Sequence, residues 1–154
     1  MANENETVAD ETPESGRSAV EIIKENSRSL RGTLSLELAG ADDHFSDDSK
    51  QLLKFHGSYQ QEDRDARKNR RSDGLGKHYM FMVRGRIPGG KMTAKQYLAL
   101  DQLAESHANG TIRLTSRQSI QFHRILKNNL KGVIAGINEC MLSTLSACGD
   151  VNRN

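Results

Sequence analysis

Two strand-period stretches and two helix-period segments predict an α+β fold. HYMFMVRGRI at 78–87 and the pair TIRLT and SIQFHRI within 111–125 alternate apolar and polar residues along a strand. Segments beginning at Thr93 and at Asn129 instead repeat apolar residues at helical spacing. The order is β-α-β-β-α, a split βαβ, ferredoxin-like arrangement that lacks one strand. The expectation is an incomplete ferredoxin-like half domain preceded by a helix and an extended arm.

Each element has its own warrant. Low hydrophobicity and acidic excess predict a disordered tail over residues 1–16. Ser18 followed by Glu21 reads as a capping box opening a helix, with Val20, Ile23 and Leu30 as its apolar stripe and its end near Gly32. Residues 33–50 read as an extended arm with the acidic loop DDHFSDD, so that 17–50 form helix and arm and 51–154 the body. QQEDRDARKNRRSDGLG reads as a solvated loop or short helix. In the strand at 78–87, Phe81, Val83 and Ile87 share one side, and Met80, Met82, Arg84 and Arg86 the other. PGG ends it. Thr93 and Gln96 supply a second capping box, for a helix of about four turns carrying Tyr97, Leu100, Leu103 and Ala104 inward. Asn109 and Gly110 stop that helix. The last helix carries Leu130, Val133, Ile134, Ile137, Met141 and Leu145.

Charge divides the chain. The net charge of +2 over 154 residues combines 12 acids and 5 bases in residues 1–50 with 8 acids and 17 bases in residues 51–154. A basic body of this kind attracts phosphates, polycarboxylates or small oxyanions. The start of the chain has no basic stretch followed by an apolar run, and no segment has the length of a transmembrane span, which points to a cytoplasmic protein without membrane contact. Cys140 and Cys148 form no compact zinc or redox motif and read as reduced structural thiols.

The most informative residues are basic. Arg84, Arg113 and Arg117 are placed on strands whose alternation turns them to one face, together with Thr115, Gln121 and His123. Ile112, Leu114, Ile120 and Phe122 occupy the opposite side. A sheet face of cations and hydrogen-bonding groups is suited to an anion, and guanidinium forks bind carboxylates in a planar, paired manner that lysine does not reproduce. Arg86 and Arg124 read instead as solvated, His56 as structural, and Met80 and Met82 as packing residues.

RGRIPGGKMT, GTIRLTSRQSIQFHRILKNNLK and ACGDVNRN, with KFHGSYQQEDRD upstream and a weaker echo in LRGTL, resemble the N-terminal half of the sirohaem and [4Fe–4S] nitrite and sulfite reductases. The upstream motif is similar to the assimilatory sulfite reductase haemoprotein branch. The resemblance covers residues 51–154 and implies six-electron reduction of sulfite to sulfide, or of nitrite to ammonia, at a sirohaem joined to a [4Fe–4S] cluster. It implies substrate contacts for Arg84 and Arg153. It implies sirohaem contacts for Arg113, Thr115, Arg117, Gln121 and His123, and places Asn152 and Asn154 beside the second substrate arginine. The family's cluster cysteines and anion-site lysines belong to its C-terminal half, so sirohaem would be shared with that half and the cluster held only by it. The implied partners are sulfite or nitrite, a ferredoxin or flavoprotein electron donor, and the complementary half. The chain alone is expected to be inactive.

Two readings from other classes stand beside this one. A ferredoxin-like sheet with a basic face is also the architecture of RNA-recognition domains, but those stack bases on exposed aromatics, and no such triplet occurs here. A non-catalytic scaffold using an unpaired sheet edge is the third reading.

Overall fold

A computed structural model describes residues 16–147. Apart from Gly16, the acidic tail expected over residues 1–16 lies outside them, as do Cys148, Asn152, Arg153 and Asn154. The helices are α1 (Ala19–Asn26), α2 (Leu34–Ala39), α3 (Asp47–Phe55), α4 (Arg64–Ser72), α5 (Ala94–His107) and α6 (Leu130–Glu139). The strands are β1 (Ser58–Glu62), β2 (Tyr79–Gly85), β3 (Arg113–Leu114) and β4 (Ile120–Ile125). They form one antiparallel sheet in the order β1-β2-β4-β3.

The α+β architecture agrees with the pattern of the sequence, and both expected capping boxes form: Ser18 with Glu21, and Thr93 with Gln96. The fourth strand lies upstream. SYQQE pairs along β2 from Ser58↔Val83 to Glu62↔Tyr79, although its polar composition carries no strand period. Helix α1 stops at Asn26, where the Ser27 hydroxyl accepts from the Leu30 amide inside a left-handed turn at Arg28, Ser29 and Leu30.

The segment expected as an extended arm is helical instead, and Glu37 explains why. Its carboxylate accepts from the Thr33 hydroxyl at 2.6 Å, the Ser49 hydroxyl at 2.6 Å, and the Ser46 amide and hydroxyl at 2.7 and 2.9 Å. Ser46 caps α3, so one side chain fastens α2 to the start of the next helix. Burial pushes this carboxyl up, but the hydrogen bonds from Ser49, Thr33 and Ser46 outweigh it and hold it at about 2, below its ordinary 4.5. Between the helices Phe45 is 3% exposed, joins the core, and donates its amide to Gln60 Oε1 at 2.7 Å. Lys127 Nζ donates to the Asp42 carbonyl at 2.7 Å and closes the acidic loop over the sheet.

A measurable consequence follows for acid stability. A carboxyl with a lowered folded value stabilises fully above its ordinary value and loses that contribution as pH falls through the folded one. Glu37→Ala is expected to cost about 2 kcal/mol at pH 7, the scale of hydrogen bonds to a charged group. Urea unfolding at pH 7 and near pH 2 should show the deficit shrinking at the lower pH; a constant deficit would reject the clamp.

One sheet face is covered by helices. Phe81, Val83, Ile120, Phe122 and Ile125 pack with Leu100 and Ala104 of α5 and Leu130, Val133 and Ile137 of α6 in one buried cluster. Several residues expected inside are not: Tyr97 is 49% exposed, Leu145 53%, Leu114 76% and Met141 88%. Tyr97 sits in the first turn of α5, Leu114 lies on a two-residue edge strand, and α6 ends before Met141 and Leu145. Met80 and Met82, on the other face, are buried, as packing residues should be.

Strand β4 carries a bulge. Phe81 pairs with Ile125 and Val83 with Phe122, so His123 and Arg124 together oppose Met82. Arg124 takes φ +59° and reaches Asp63, donating from Nη2 to Oδ2 at 2.7 Å. Asp63 is also the N-cap of α4, its Oδ1 accepting from the Asp65 and Ala66 amides at 3.0 and 3.2 Å. Arg124 is therefore half exposed but paired, rather than simply solvated.

Candidate anion-binding face

The register sets three polar side chains in a row. Arg84 of β2 pairs with Gln121 of β4, and Gln121 with Arg113 of β3, so the three occupy one face of the sheet. His123 joins them two residues along β4, its Nε2 3.2 Å from the Gln121 amide. Four of the residues expected to meet are thus brought together. Arg117 is not on a strand. It lies exposed in the turn between β3 and β4, because Thr115 and Ser119 close the hairpin around residues 116–118. Thr115 at that hairpin base accepts from the Ser119 amide at 3.1 Å. Arg153, Asn152 and Asn154 lie outside the described residues.

The amide of Gln121 links the row internally. With its oxygen toward Arg84 it accepts from Nε at 3.1 Å and Nη2 at 2.7 Å, while its NH2 donates to His123 Nε2 at 3.2 Å. Arg84 Nη1 is left buried without a hydrogen-bond partner. The Arg84 guanidinium carbon also lies 5.7 Å from the centre of the Tyr59 ring on β1. Tyr59 was not legible as a site residue because the strand that carries it shows no strand period. Arg86 departs from its solvated reading, for it is only partly exposed and its Nε is buried without a partner.

The electrostatics are one-sided. No acidic side chain among the described residues forms an ion pair with Arg84 or Arg113. Burial, then the positive charges of Arg113 and Arg84, push the His123 ring below its ordinary value, which favours neutral imidazole. Two guanidinium groups in one cross-strand row repel each other, and a buried N–H without an acceptor is costly. An anion relieves both penalties. Among the described residues no group of three or more His, Cys, Asp or Glu side chains is arranged to hold a metal ion, and no helix is long and apolar enough to cross a membrane. Cys140 is a free thiol at the end of α6.

Comparison with known proteins agrees with this architecture. Residues 74–140 match the family described as nitrite/sulfite reductase ferredoxin-like half domain. The chain is 49% identical, over its whole length, to the sulfite reductase [NADPH] hemoprotein beta-component of Staphylococcus haemolyticus, spanning 27% of that protein. It is 54% identical over 89% of its length to the counterpart from Shouchella clausii, spanning 24%, and 51% identical over 89% to that from Myxococcus xanthus, spanning 25%. The chain spans about a quarter of the length of these curated relatives. Its fold is shared with the Mycobacterium tuberculosis NirA protein at a TM-score of 0.70 and 24% identity, over 86% of this chain and 26% of that one. The strand-helix order read from the sequence and the four-stranded sheet agree with the match of residues 74–140 to the ferredoxin-like half domain of the nitrite and sulfite reductases.

Proposed function

We propose that the polar face is the anion-holding wall of a sirohaem-dependent sulfite or nitrite reductase, contributed by residues 51–154. The observation that carries this reading is the Arg84–Gln121–Arg113 row, cationic and without a carboxylate of its own, with Arg84 Nη1 buried and unpartnered. Its donors fit a macrocycle rimmed with carboxylates, since planar guanidinium groups pair with carboxylates in charge-assisted bonds. Arg113, Thr115, Arg117, Gln121 and His123 would hold that group, with Asn152 and Asn154 alongside, and Arg84 and Arg153 would face the substrate oxyanion. Sirohaem supplies the redox centre when bound.

The residues of this chain have a simpler task. Fixed guanidinium groups stabilise negative charge on the oxyanion, and their pre-set geometry spares the reorganisation that water would need. The [4Fe–4S] ligands and the remaining anion-site lysines are assigned to the complementary half, and a ferredoxin or flavoprotein is the electron donor. The test is cofactor retention. Arg113→Gln in a full-length reductase carrying this half domain is expected to lower sirohaem absorbance per polypeptide severalfold, while this chain alone purifies without stoichiometric iron. Full occupancy in the variant would refute the carboxylate role, and a stoichiometric cluster on the isolated chain would refute the division of ligands.

A further inference from the structure

The row contains a device that anion contact alone does not require. Gln121 lies between two arginines and a histidine, and only one orientation of its amide suits all its neighbours. Reversed, the NH2 would meet the N–H groups of Arg84, donor against donor. With the oxygen toward Arg84, the NH2 must find an acceptor, and His123 Nε2 is at 3.2 Å. A ring nitrogen accepts only through its lone pair, so Nε2 is unprotonated and the proton of the neutral ring resides on Nδ1.

We propose that Gln121 is a positioning residue which reads the donor edge of Arg84 and thereby imposes the Nδ1–H tautomer on His123. The same contact occupies Nε and Nη2 of Arg84, leaving the buried Nη1 as a donor for an incoming anion. One amide thus fixes which proton the histidine offers and which edge of the arginine is spent. Burial and the flanking charges of Arg113 and Arg84 keep the ring neutral, so the tautomer rather than the charge is the controlled variable. The catalytic consequence rests on the anion-binding reading above, whereas the tautomer is set by hydrogen bonds within the chain.

Long-range 1H–15N correlation spectra of the full 154-residue chain test the assignment directly. In the unaltered protein, Nδ1 of His123 is expected to carry the proton and Nε2 to show the shift of an unprotonated nitrogen. Gln121→Leu should release the ring into a tautomer mixture, and Gln121→Glu, whose carboxylate only accepts, should move the proton to Nε2. Unchanged backbone amide resonances for Phe81 and Val83 would certify that the variants fold. A protonated Nε2 in the unaltered chain would overturn the proposal, as would an Nδ1–H ring that persists in both variants. Sulfite binding to a full-length reductase carrying this half domain separates the two readings, since an Arg84→Gln variant that binds sulfite as tightly as the unaltered enzyme would sink the anion site and leave the tautomer result standing.

Discussion

Replacing Arg84 by lysine in a full-length reductase carrying this half domain is expected to lower kcat on the order of 100-fold, the scale seen when one pre-set donor to a developing oxyanion is removed. Charge is preserved in this substitution, so the loss isolates geometry. A guanidinium offers Nε and Nη2 to Gln121 along one edge while Nη1 remains for the anion. An ammonium is a point charge that cannot present two separate, coplanar donor edges. Lysine at this position therefore has to choose between aligning the Gln121 amide and taking the anion-binding role proposed for Arg84. Steady-state assays with sulfite and with nitrite would check the result. A kcat within twofold of the unaltered enzyme, with only KM raised, would show that Arg84 contributes uniform binding and no selective stabilisation of the reacting anion.

The largest expected effect on folding comes from Gly57→Ala. Gly57 has φ +72°, a left-handed conformation that costs a residue with a Cβ about 1–2 kcal/mol. An added Cβ would also run into the Thr144 carbonyl and lie 3.0 Å from that of Arg84. Both obstacles are backbone, so neither yields by rotating a side chain, and overpacking adds about 1–3 kcal/mol. The substitution is expected to cost about 3 kcal/mol in all, or roughly 10 °C in Tm. Gly74→Ala is the internal control: φ is +67° there but nothing lies within 4 Å, so only the conformational cost of about 1 kcal/mol applies. Calorimetry of both variants decides the matter. Equal losses would mean that the close approach of Gly57 to Thr144 is not a constraint on the fold. Gly57 also accepts the Arg84 amide at 2.8 Å, so loosening this junction would disturb the strand that carries the leading arginine.

How far the sequence could be read depended on the range of the interactions involved. The capping boxes at Ser18 and Thr93 were legible because each is completed by a partner only three positions along the chain. The helix-facing cluster was legible because Phe81, Val83, Ile120 and Phe122 obey a period that needs no partner to be seen. Strand β1 was illegible because SYQQE is held by pairing with β2, and its own composition argues weakly for any structure. The helical character of 33–50 was hidden in the same way, since Glu37 recruits Ser46 and Ser49 from 9 and 12 residues away. On the polar face, alternation correctly grouped Arg84, Arg113, Gln121 and His123. It failed for Arg117, where Thr115 and Ser119 close a turn that interrupts the period. Nor could alternation reveal that Gln121 bonds to Arg84 as well as to His123, because that depends on how β2 and β4 are aligned.

The bulge opposite Met82 acts as a phase shifter. Its three inward residues, Ile120, Phe122 and Ile125, are spaced by two and then by three, so the strand changes step once between them. A strictly alternating chain would have turned Arg124 into the apolar cluster and Ile125 out of it. The extra residue lets the Gln121–His123 pair keep one beat while the far end of β4 keeps another. The length between Gln121 and Ile125 is accordingly fixed by the fold. A one-residue deletion there would leave the composition of the strand almost intact while throwing its two ends out of step, separating the Gln121–His123 segment from the core that supports it.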